Sequence, residues 1–440
     1  MGRKRRIPKE LVEARIEGMA HAGRGITHDA QGRPVFVDFA LPGERVRFRY
    51  TKLRRQRAEA AAIEILEPAP ERIQPHCAHF GECGGCALQH LPPAAQQGHK
   101  EQVLLEQLAR IGGVVPEQRL EPLAGPPWGY RRKARLAVKH VPKKGGVLVG
   151  FREKHSPLVA PVSFCPVLDP RVGEWMQELA ALISSLSIPH RIPQVEVACG
   201  DEAVALVFRH LEPFSDEDLM RMAAFAEATG LAVLRQPGDE STITAVAPES
   251  APRLSYCLSP YGVELAFLPT DFTQVNAAIN QGMVQRAVEW LEPRPGRRIL
   301  DLFCGVGNFS LALAQQGAEL TGIEGEAGLV ERARANAAAN GLEASFEVAD
   351  LTSQAGVQCV TGRYDAVLLD PPRSGAQEVL DAVAATGARR VVYCSCGPAT
   401  LARDAGILVE RHGFRLIAAG IMDMFPHTAH VESFAVFDRV

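Results

Sequence analysis

The chain has 440 residues, of which 46% are hydrophobic and 22% charged, and its formal net charge is −3. These proportions are typical of a soluble globular protein, and the length predicts two or three domains. No apolar segment approaches the ~18 residues of a membrane-spanning helix, and no signal peptide follows the basic N-terminus, so we expect a cytoplasmic protein without a membrane partner.

Charge is distributed unevenly along the chain. Residues 1–57 carry 15 Lys and Arg against 6 Asp and Glu, whereas the remainder carries 33 against 45. A basic N-terminal module on an acidic body favours a polyanionic partner, above all a nucleic acid. A solvated cationic tail that aids solubility is the alternative.

The first predicted domain, residues 1–70, reads as a small OB-like β-barrel. Segments 35–39, 44–50 and 60–66 are predicted strands, and a Pro-rich linker over 67–75 ends the domain. In the second strand, apolar and basic residues alternate, which places Val46, Phe48 and Tyr50 on one face and Arg45, Arg47 and Arg49 on the other. Barrels with such a cationic face commonly bind nucleic acids.

The second predicted domain, residues 71–268, is a central α+β domain with a basic strand over 130–140. Its apolar residues point one way, and four cations point the other: Arg131, Lys133, Arg135 and Lys139. A hairpin turn over 143–146 leads into the next strand. The pattern favours a sheet that faces RNA phosphates, with an ordinary amphipathic surface strand as the alternative.

A cysteine cluster lies in this second domain. Cys77, Cys83 and Cys86 share one Gly-rich loop with spacings x5 and x2, and Cys165 follows at a distance, directly before a proline. Four thiolates suit either Zn²⁺ or an iron–sulfur cluster. Three cysteines in one loop favour [4Fe–4S], whereas nearby histidines keep zinc open, namely His76, His79 and His90.

The third predicted domain, residues 269–440, alternates strands with helices. This pattern predicts a parallel, doubly wound, Rossmann-like α/β sheet that binds ligands at the carboxyl ends of its strands. The predicted strands are 298–303, 319–324, 346–349, 366–370, 391–393, 415–418 and 433–437, and the long helices are 308–316 and 326–340.

A methyl-donor site is predicted at that edge. Asp301 precedes a turn with Gly305 and Gly307, and the next strand ends at Glu324, where a carboxylate can accept hydrogen bonds from ribose hydroxyls. With acids at two further strand ends, Asp350 and Asp370, the order matches that of S-adenosylmethionine-dependent methyltransferases. A tight turn without a ligand is the alternative.

Cys396 is the candidate nucleophile of this site. It follows a predicted strand and precedes a probable helix, whose N-terminus is expected to lower the pKa of the thiol. A thiolate that adds to carbon 6 of uracil makes carbon 5 reactive toward a methyl sulfonium, and a base then removes the carbon 5 proton. The alternative is that Cys394 and Cys396 are buried hydrophobic residues or a redox pair.

Five motifs together resemble the RNA uracil-C5 methyltransferase family. They span residues 272–276, 301–308, 370–373, 395–404 and 423–432. The resemblance implies that Cys396 is the nucleophile and Glu432 the proton-abstracting base. It also implies a pocket for S-adenosylmethionine and uracil formed by Gln274, Phe303, Asn308, Glu324, Asp350 and Asp370. The family more often has Asn at the position of Gly397, and Cys394 lies outside the motif, so we assign Cys394 to packing.

The cysteine cluster and the N-terminal barrel are similar to the iron–sulfur branch of that family, which carries a TRAM-type barrel. The branch implies a [4Fe–4S] cluster on Cys77, Cys83, Cys86 and Cys165 that serves folding and RNA shaping. It also implies 23S ribosomal RNA as the substrate, with carbon 5 of uracil 1939 as the target and 5-methyluridine as the product. No obligate protein partner is evident.

Several other functions remain open at this point. They are a transfer-RNA uracil-C5 methyltransferase and a non-catalytic RNA-binding protein of ribosome assembly. An RNA cytosine-C5 methyltransferase is disfavoured because the segment after Asp370 lacks a second cysteine. A radical methylthiotransferase is disfavoured because its triad has the spacing C-x3-C-x2-C.

Overall fold

The computed structural model describes residues 7–8, 10–144 and 146–439, so residues 3–6 of the basic N-terminus and Gly145 of the predicted hairpin lie outside it. The chain forms two compact units. The first comprises the residues up to Lys100 together with Phe151–Ala160 and Phe425–His430, and the second comprises Glu101–Gly150, Pro161–Met424 and the chain from Val431 onward. Within the described ranges, no helix is long and apolar enough to cross a membrane.

The first unit contains a six-stranded sheet. Its strands are β1 (Val12–Arg15), β2 (Gly18–Met19), β3 (Gly25–His28), β4 (Pro34–Asp38), β5 (Arg45–Leu53) and β6 (Ala58–Glu67). They pair in the order β1–β5–β6–β4–β3–β2. Alternate residues of these strands face inward and form the core, among them Val35, Val37, Val46, Phe48 and Ala60. The predicted strands of the N-terminal domain are thus confirmed.

The cationic side of β5 differs from the prediction. Arg45 forms ion pairs with Glu13 at 2.6 Å and Glu67 at 2.9 Å, and Arg47 pairs with Glu64 at 3.0 Å. The carboxylates come from β1 and β6, the two strands that flank β5. Acids from neighbouring strands therefore compensate Arg45 and Arg47, whereas Arg49 of the same face is exposed.

The second unit begins within α1 (Pro93–Arg110) and contains a mixed α+β region. Its elements are β7 (Gln118–Arg119), β8 (Lys133–Val141), β9 (Gly146–Gly150), α2 (Pro170–Gly173), α3 (Met176–Ser185), β10 (Gln194–Cys199), β11 (Val204–Arg209), α4 (Asp216–Thr229), β12 (Ala232–Gln236), β13 (Thr244–Ala247), β14 (Leu254–Leu258) and β15 (Val263–Phe267). Six strands form one sheet in the order β13–β12–β11–β10–β8–β9, and β14 pairs with β15. A capping box between Ser215 and Asp218 fixes the start of α4.

The predicted basic strand corresponds to β8, but its cations are only partly available. Arg135 pairs with Glu196 of β10, with 2.9 Å between Nε and Oε1. Lys133 donates from Nζ to the carbonyl oxygens of Pro269 and Asp271. The expected row of phosphate-facing cations is therefore wrong for Lys133, whose ammonium is bound by backbone carbonyls, whereas the ion-paired Arg135 side chain is still 71% exposed.

The remainder of the second unit is built on an eight-stranded sheet. Its further elements are α5 (Ala277–Leu291), β16 (Arg298–Leu302), α6 (Ser310–Gln315), β17 (Glu319–Glu324), α7 (Ala327–Ala339), β18 (Ser345–Val348), α8 (Gln354–Val357), β19 (Ala366–Leu369), α9 (Leu380–Ala385), β20 (Arg390–Ser395), α10 (Pro398–His412), β21 (Arg415–Met422) and β22 (Glu432–Asp438). The order is β18–β17–β16–β19–β20–β22–β21–β7, in which β16 to β20 run parallel and β22 runs antiparallel to both of its neighbours. The predicted strand–helix alternation is confirmed, and the carboxyl ends of the parallel strands meet along one edge.

Candidate active site

The turn after β16 brings the backbone close to the carboxylate of Glu324. Phe303, directly after the strand, has a φ of +66°, which is strained for a bulky side chain and is most often found at functional sites. Gly305 has a φ of +55°, and its N–H donates to Oε2 of Glu324 at 3.1 Å. The structure therefore brings the predicted Gly-rich turn and Glu324 together.

Asn308 is held by two side chains that the sequence did not single out. Its Oδ1 accepts hydrogen bonds from the hydroxyl of Tyr256 at 2.9 Å and from Nδ2 of Asn280 at 3.0 Å. Its Nδ2 donates to Oδ1 of Asn280 at 2.9 Å. The amide thus has a fixed orientation. No local sequence pattern identifies Tyr256 as a site residue. Asn280 lies just after the motif that contains Gln274, and this position was a weak indication of a role in the site.

Gln274 lines a small pocket in the second unit together with Tyr256, Asn280, Thr273 and Cys257. Two residues before it, Phe272 is exposed over 69% of its surface. The structure therefore places Gln274 next to the side chains that hold Asn308, as its predicted pocket role requires.

Two carboxyl groups at this edge, those of Asp301 and Asp370, have pKa values above the ordinary range. Burial, followed by the neighbouring Asp370 and Glu324, raises the pKa of Asp301 to about 7, although the Ser310 hydroxyl donates to it at 2.5 Å. Burial and Glu324 likewise raise the pKa of Asp370 to about 7. Because these acids repel one another, the edge favours a cationic ligand.

Asp350 lies apart from these buried acids. Its side chain is exposed and accepts hydrogen bonds from the backbone N–H and the hydroxyl of Thr352, at 3.0 and 2.6 Å, which lower its pKa. Asp350 follows β18, the strand next to β17 and Glu324. Its contact to a ligand remains a prediction.

Cys396 and Glu432 are brought together by the pairing of β20 with β22. Cys394 pairs with Phe434 and Ser395 with Ser433, so the same antiparallel register continued by one residue sets Cys396 opposite Glu432. Cys396 is partly buried at the carboxyl end of its strand, on the same sheet edge as Asp370. A thiol and two carboxylates therefore face one position, which is the set that the predicted chemistry needs.

The thiol of Cys396 is less acidic than the sequence predicted. Burial raises its pKa to about 11, and Glu432 and Asp370 contribute in the same direction, while Arg373 opposes them. The expected lowering by the N-terminus of α10 is wrong, because carboxylates and desolvation outweigh the helix end. Cys394 is buried, and burial raises its pKa well above the ordinary value, which fits its assignment to packing.

Gly397 sits between Cys396 and α10, at the position where the family more often has Asn. A Cβ atom here would lie 2.6 Å from Oγ1 of Thr400, whose hydroxyl donates to the Gly397 carbonyl at 2.9 Å. A larger residue would displace the Thr400 side chain. Since Thr400 also donates to the Arg373 carbonyl at 3.3 Å, Gly397 allows a hydroxyl contact between the two loops that carry Cys396 and Asp370.

Comparisons with known proteins agree with this geometry. A family model described as tRNA (Uracil-5-)-methyltransferase matches residues 263–440, and a TRAM domain model matches residues 7–63. A protein from Alkalilimnicola ehrlichii named 23S rRNA (uracil(1939)-C(5))-methyltransferase RlmD is 62% identical over 99% of this chain and 98% of its own. A protein of the same name from Methylococcus capsulatus is 50% identical over 100% and 99% of the two chains. The chain belongs to the RlmD family.

One solved structure supports the fold. The tRNA (uracil-54, C5)-methyltransferase of Pyrococcus abyssi, in complex with S-adenosyl-L-homocysteine, superposes with a TM-score of 0.72 at 23% identity, covering 97% of this chain and 100% of its own. Family membership and this superposition confirm a methyltransferase fold of the S-adenosylmethionine-dependent class with an N-terminal TRAM domain. The predicted resemblance to uracil-C5 methyltransferases is confirmed.

The cysteines that the RlmD resemblance assigns to a cluster lie in both units. The loop of Cys77, Cys83 and Cys86 belongs to the first unit, where the Gly85 N–H donates to Sγ of Cys83 at 3.4 Å. Cys165 belongs to the second unit and is buried. Across the described ranges, no group of three or more His, Cys, Asp or Glu side chains forms a preformed metal site. The cluster therefore stays a prediction.

Proposed function

We propose that this chain methylates carbon 5 of uracil 1939 in 23S ribosomal RNA and that the reaction runs through a covalent bond between Cys396 and carbon 6. The observation that carries the covalent route is the strand register that sets Cys396 opposite Glu432. S-adenosylmethionine supplies an electrophilic methyl group. The names of the two relatives given above specify this nucleotide as their target.

The protein's own residues account for each proton and bond. The Cys396 thiol, whose pKa lies near 11, gives up its proton to Asp370 as sulfur bonds to carbon 6 of the uracil, so that Glu432 stays ionised. The electron pair of the 5,6 double bond moves to carbon 5, which bonds to the methyl group of S-adenosylmethionine as the methyl–sulfur bond breaks and S-adenosylhomocysteine leaves. Glu432 then removes the carbon 5 proton, the carbon–sulfur bond breaks, and the thiolate leaves.

We propose that the methyl donor and the uracil are held by Gln274, Phe303, Asn308, Glu324, Asp350 and Asp370. The arrangement fits such a ligand in three respects. Carboxylates that repel one another favour a sulfonium cation. The turn at Gly305 leaves room at the strand edge. The fixed amide of Asn308 presents defined hydrogen-bonding groups.

The direct test uses labelled S-adenosylmethionine and 23S rRNA from cells that lack this methylation. We expect 5-methyluridine at position 1939 with the native protein, none with Cys396→Ala, and product with the control Cys394→Ala. Full activity of Cys396→Ala would refute the covalent route. Product on transfer RNA instead of ribosomal RNA would refute the substrate.

A second experiment separates the nucleophile from the base. RNA with 5-fluorouridine at the target cannot lose a proton from carbon 5, so we expect a stable protein–RNA adduct with the native chain. With ordinary RNA, Glu432→Gln should also accumulate an adduct, because the proton then stays on carbon 5. Absence of both adducts would contradict the assigned roles.

We also propose that Cys77, Cys83, Cys86 and Cys165 hold a [4Fe–4S] cluster that serves folding and RNA shaping. The loop of the first unit supports this, because the Gly85 N–H donates to Sγ of Cys83 at 3.4 Å and a Cβ on Gly85 would lie 3.4 Å from the same sulfur. Iron and sulfide near four per chain, with broad visible absorption, are expected. Stoichiometric zinc without iron would refute the assignment.

A further inference from the structure

Two sets of cations in the N-terminal barrel differ in their partners. Along β5, Arg45 and Arg47 are neutralised by ion pairs with carboxylates of β1 and β6. The strand β5 ends at Leu53 and β6 begins at Ala58, so the chain turns through residues 54–57. The cations of that turn and of the strand end before it, which we call the tip cluster, are Lys52, Arg54, Arg55 and Arg57.

The tip cluster is exposed and uncompensated. All four side chains are exposed, and none forms an ion pair with any residue in the described part of the chain. The acid nearest in register is Glu59, opposite Lys52, and its carboxylate lies 3.9 Å from the guanidinium of Arg24 instead. Three positive charges on this turn and Lys52 at the end of β5 therefore stand without an ion-pair partner among the described residues.

The backbone of this turn is held from the adjacent hairpin. The Arg54 N–H donates to the Arg57 carbonyl at 2.9 Å, which closes the turn. The Arg54 carbonyl accepts a hydrogen bond at 3.0 Å from Nη1 of Arg33, a residue of the β3–β4 connection. The cluster is thus presented on an ordered backbone, which reduces the entropy lost when a ligand binds.

Arg33 is itself fixed by a carboxylate. Asp29 accepts from Nε of Arg33 at 2.8 Å and pairs with its Nη2 at 2.6 Å, and the side chains are only 6% and 15% exposed. Burial would raise the pKa of Asp29, yet its hydrogen bonds with Arg33 lower it, so the pair stays ionised at neutral pH. Two nitrogens of Arg33 bind Asp29, and its third, Nη1, donates to the Arg54 carbonyl. This turn therefore has a defined position in the barrel.

We propose that the tip cluster is the RNA-backbone contact surface of the barrel, and this rests on the proposed function in ribosomal RNA methylation. The partner that fits four unpaired cations at the spacing of a hairpin turn is a run of successive phosphates. One arginine guanidinium group can donate two hydrogen bonds to one phosphate. Because such contacts release condensed counterions, the binding affinity depends strongly on salt concentration. Arg45 and Arg47 of β5 contribute little, because RNA would have to displace Glu13, Glu64 and Glu67.

The test compares two variants that each remove two positive charges. Arg54→Gln with Arg55→Gln changes the tip, and Arg45→Gln with Arg47→Gln changes the ion-paired face. Each is titrated with an unmethylated 23S rRNA fragment that contains the target loop, at several salt concentrations between 50 and 200 mM. Each single-stranded phosphate contact contributes about 0.7 to the slope of log affinity against log salt.

We expect the slope of the tip variant to fall by about 1.4, so that the native chain loses about 7-fold more affinity than the tip variant over this range of salt. The slope of the face variant should stay at the native value. Equal slopes for the tip variant and the native chain, or an equal fall in both variants, would overturn the proposal.

Two further measurements keep the outcomes distinct. Thermal unfolding and the Kd for S-adenosylmethionine should be the same in both variants and the native chain, since neither change touches the second unit. If the native chain neither binds nor methylates the RNA, the proposed function fails. If it does both and the tip variant is unchanged, only the tip-cluster proposal fails.

Discussion

Asp404 connects the two loops that carry the reacting groups, and its removal should be costly. It is fully buried in α10, and it accepts from the Tyr393 hydroxyl at 2.7 Å, from the Ala376 N–H at 2.8 Å and from Nε of Arg403 at 2.8 Å. Arg403 in turn donates to the Ser374 carbonyl at 2.9 Å. The loop after Asp370 is thereby attached to the helix that follows Cys396.

The magnitude follows from the groups that Asp404→Ala would leave without a partner. The Tyr393 hydroxyl and the Ala376 N–H are buried, and each unsatisfied donor costs about 1–3 kcal/mol. The free energy of unfolding should therefore fall by about 2–6 kcal/mol. The Arg403 side chain is 36% exposed and can hydrate, so it adds little.

The matched control is Asp381→Ala on α9. Asp381 also forms an ion pair, with Arg411 at 3.0 Å, but both side chains are more than half exposed, so its loss should cost less than about 1 kcal/mol. Urea denaturation measures both changes, with an unchanged m-value as the sign that the native fold persists. Trapping by 5-fluorouridine RNA should be slower in Asp404→Ala alone. Equal destabilisation by the two changes would refute the connecting role.

Three further predictions concern the acids, the thiol and the amide of the site. Alkylation of Cys396 in the free protein should accelerate about tenfold per pH unit from 8 to 10, because only the thiolate reacts and the pKa is about 11; a plateau below pH 9, measured on the Cys396 peptide by mass spectrometry, would contradict this. The Kd for S-adenosylmethionine should tighten between pH 6 and 8, because Asp370 is neutral below its pKa of about 7 and negative above it; calorimetry that finds a constant Kd would count against the carboxylate contact. Tyr256→Phe removes one hydrogen bond to Asn308, so KM for the methyl donor should rise roughly fivefold, equivalent to about 1 kcal/mol, with little change in kcat; the reverse split would disprove the positioning role.

The catalytic fold was predictable because its signals are local. Each parallel strand is a short apolar segment followed by a turn, and functional residues lie at the strand ends, so Glu324, Asp370 and Cys396 could be placed on one edge in advance. The positive φ at Gly305 and Gly307 also has a local cause, since glycine adopts it without strain. Glu432 was assigned by family resemblance, and the strand register then provided its location.

The electrostatics were not predictable in the same way, because they depend on residues far apart in the chain. Arg45 and Arg47 form a cationic face in the isolated strand, but Glu64 and Glu67 from the next strand neutralise it. The pKa of Cys396 shows the same limit: a helix N-terminus is visible in the sequence, whereas burial beside two carboxylates is not. Local patterns therefore identified which residues matter, and tertiary contacts decided their charge.

The acids of the site link methyl-donor binding to the reactivity of the thiol. Asp370 lies close enough to raise the pKa of Asp301 and also that of Cys396, so one group of carboxylates affects both the ligand and the nucleophile. Without a cation, further negative charge at this edge is unfavourable, and Cys396 stays a protonated thiol that is slow to oxidise or alkylate. A sulfonium cation among these carboxylates reduces their mutual repulsion and lowers the cost of forming a thiolate next to them. The residues that we propose to hold the donor would thus delay thiolate formation until a donor is present.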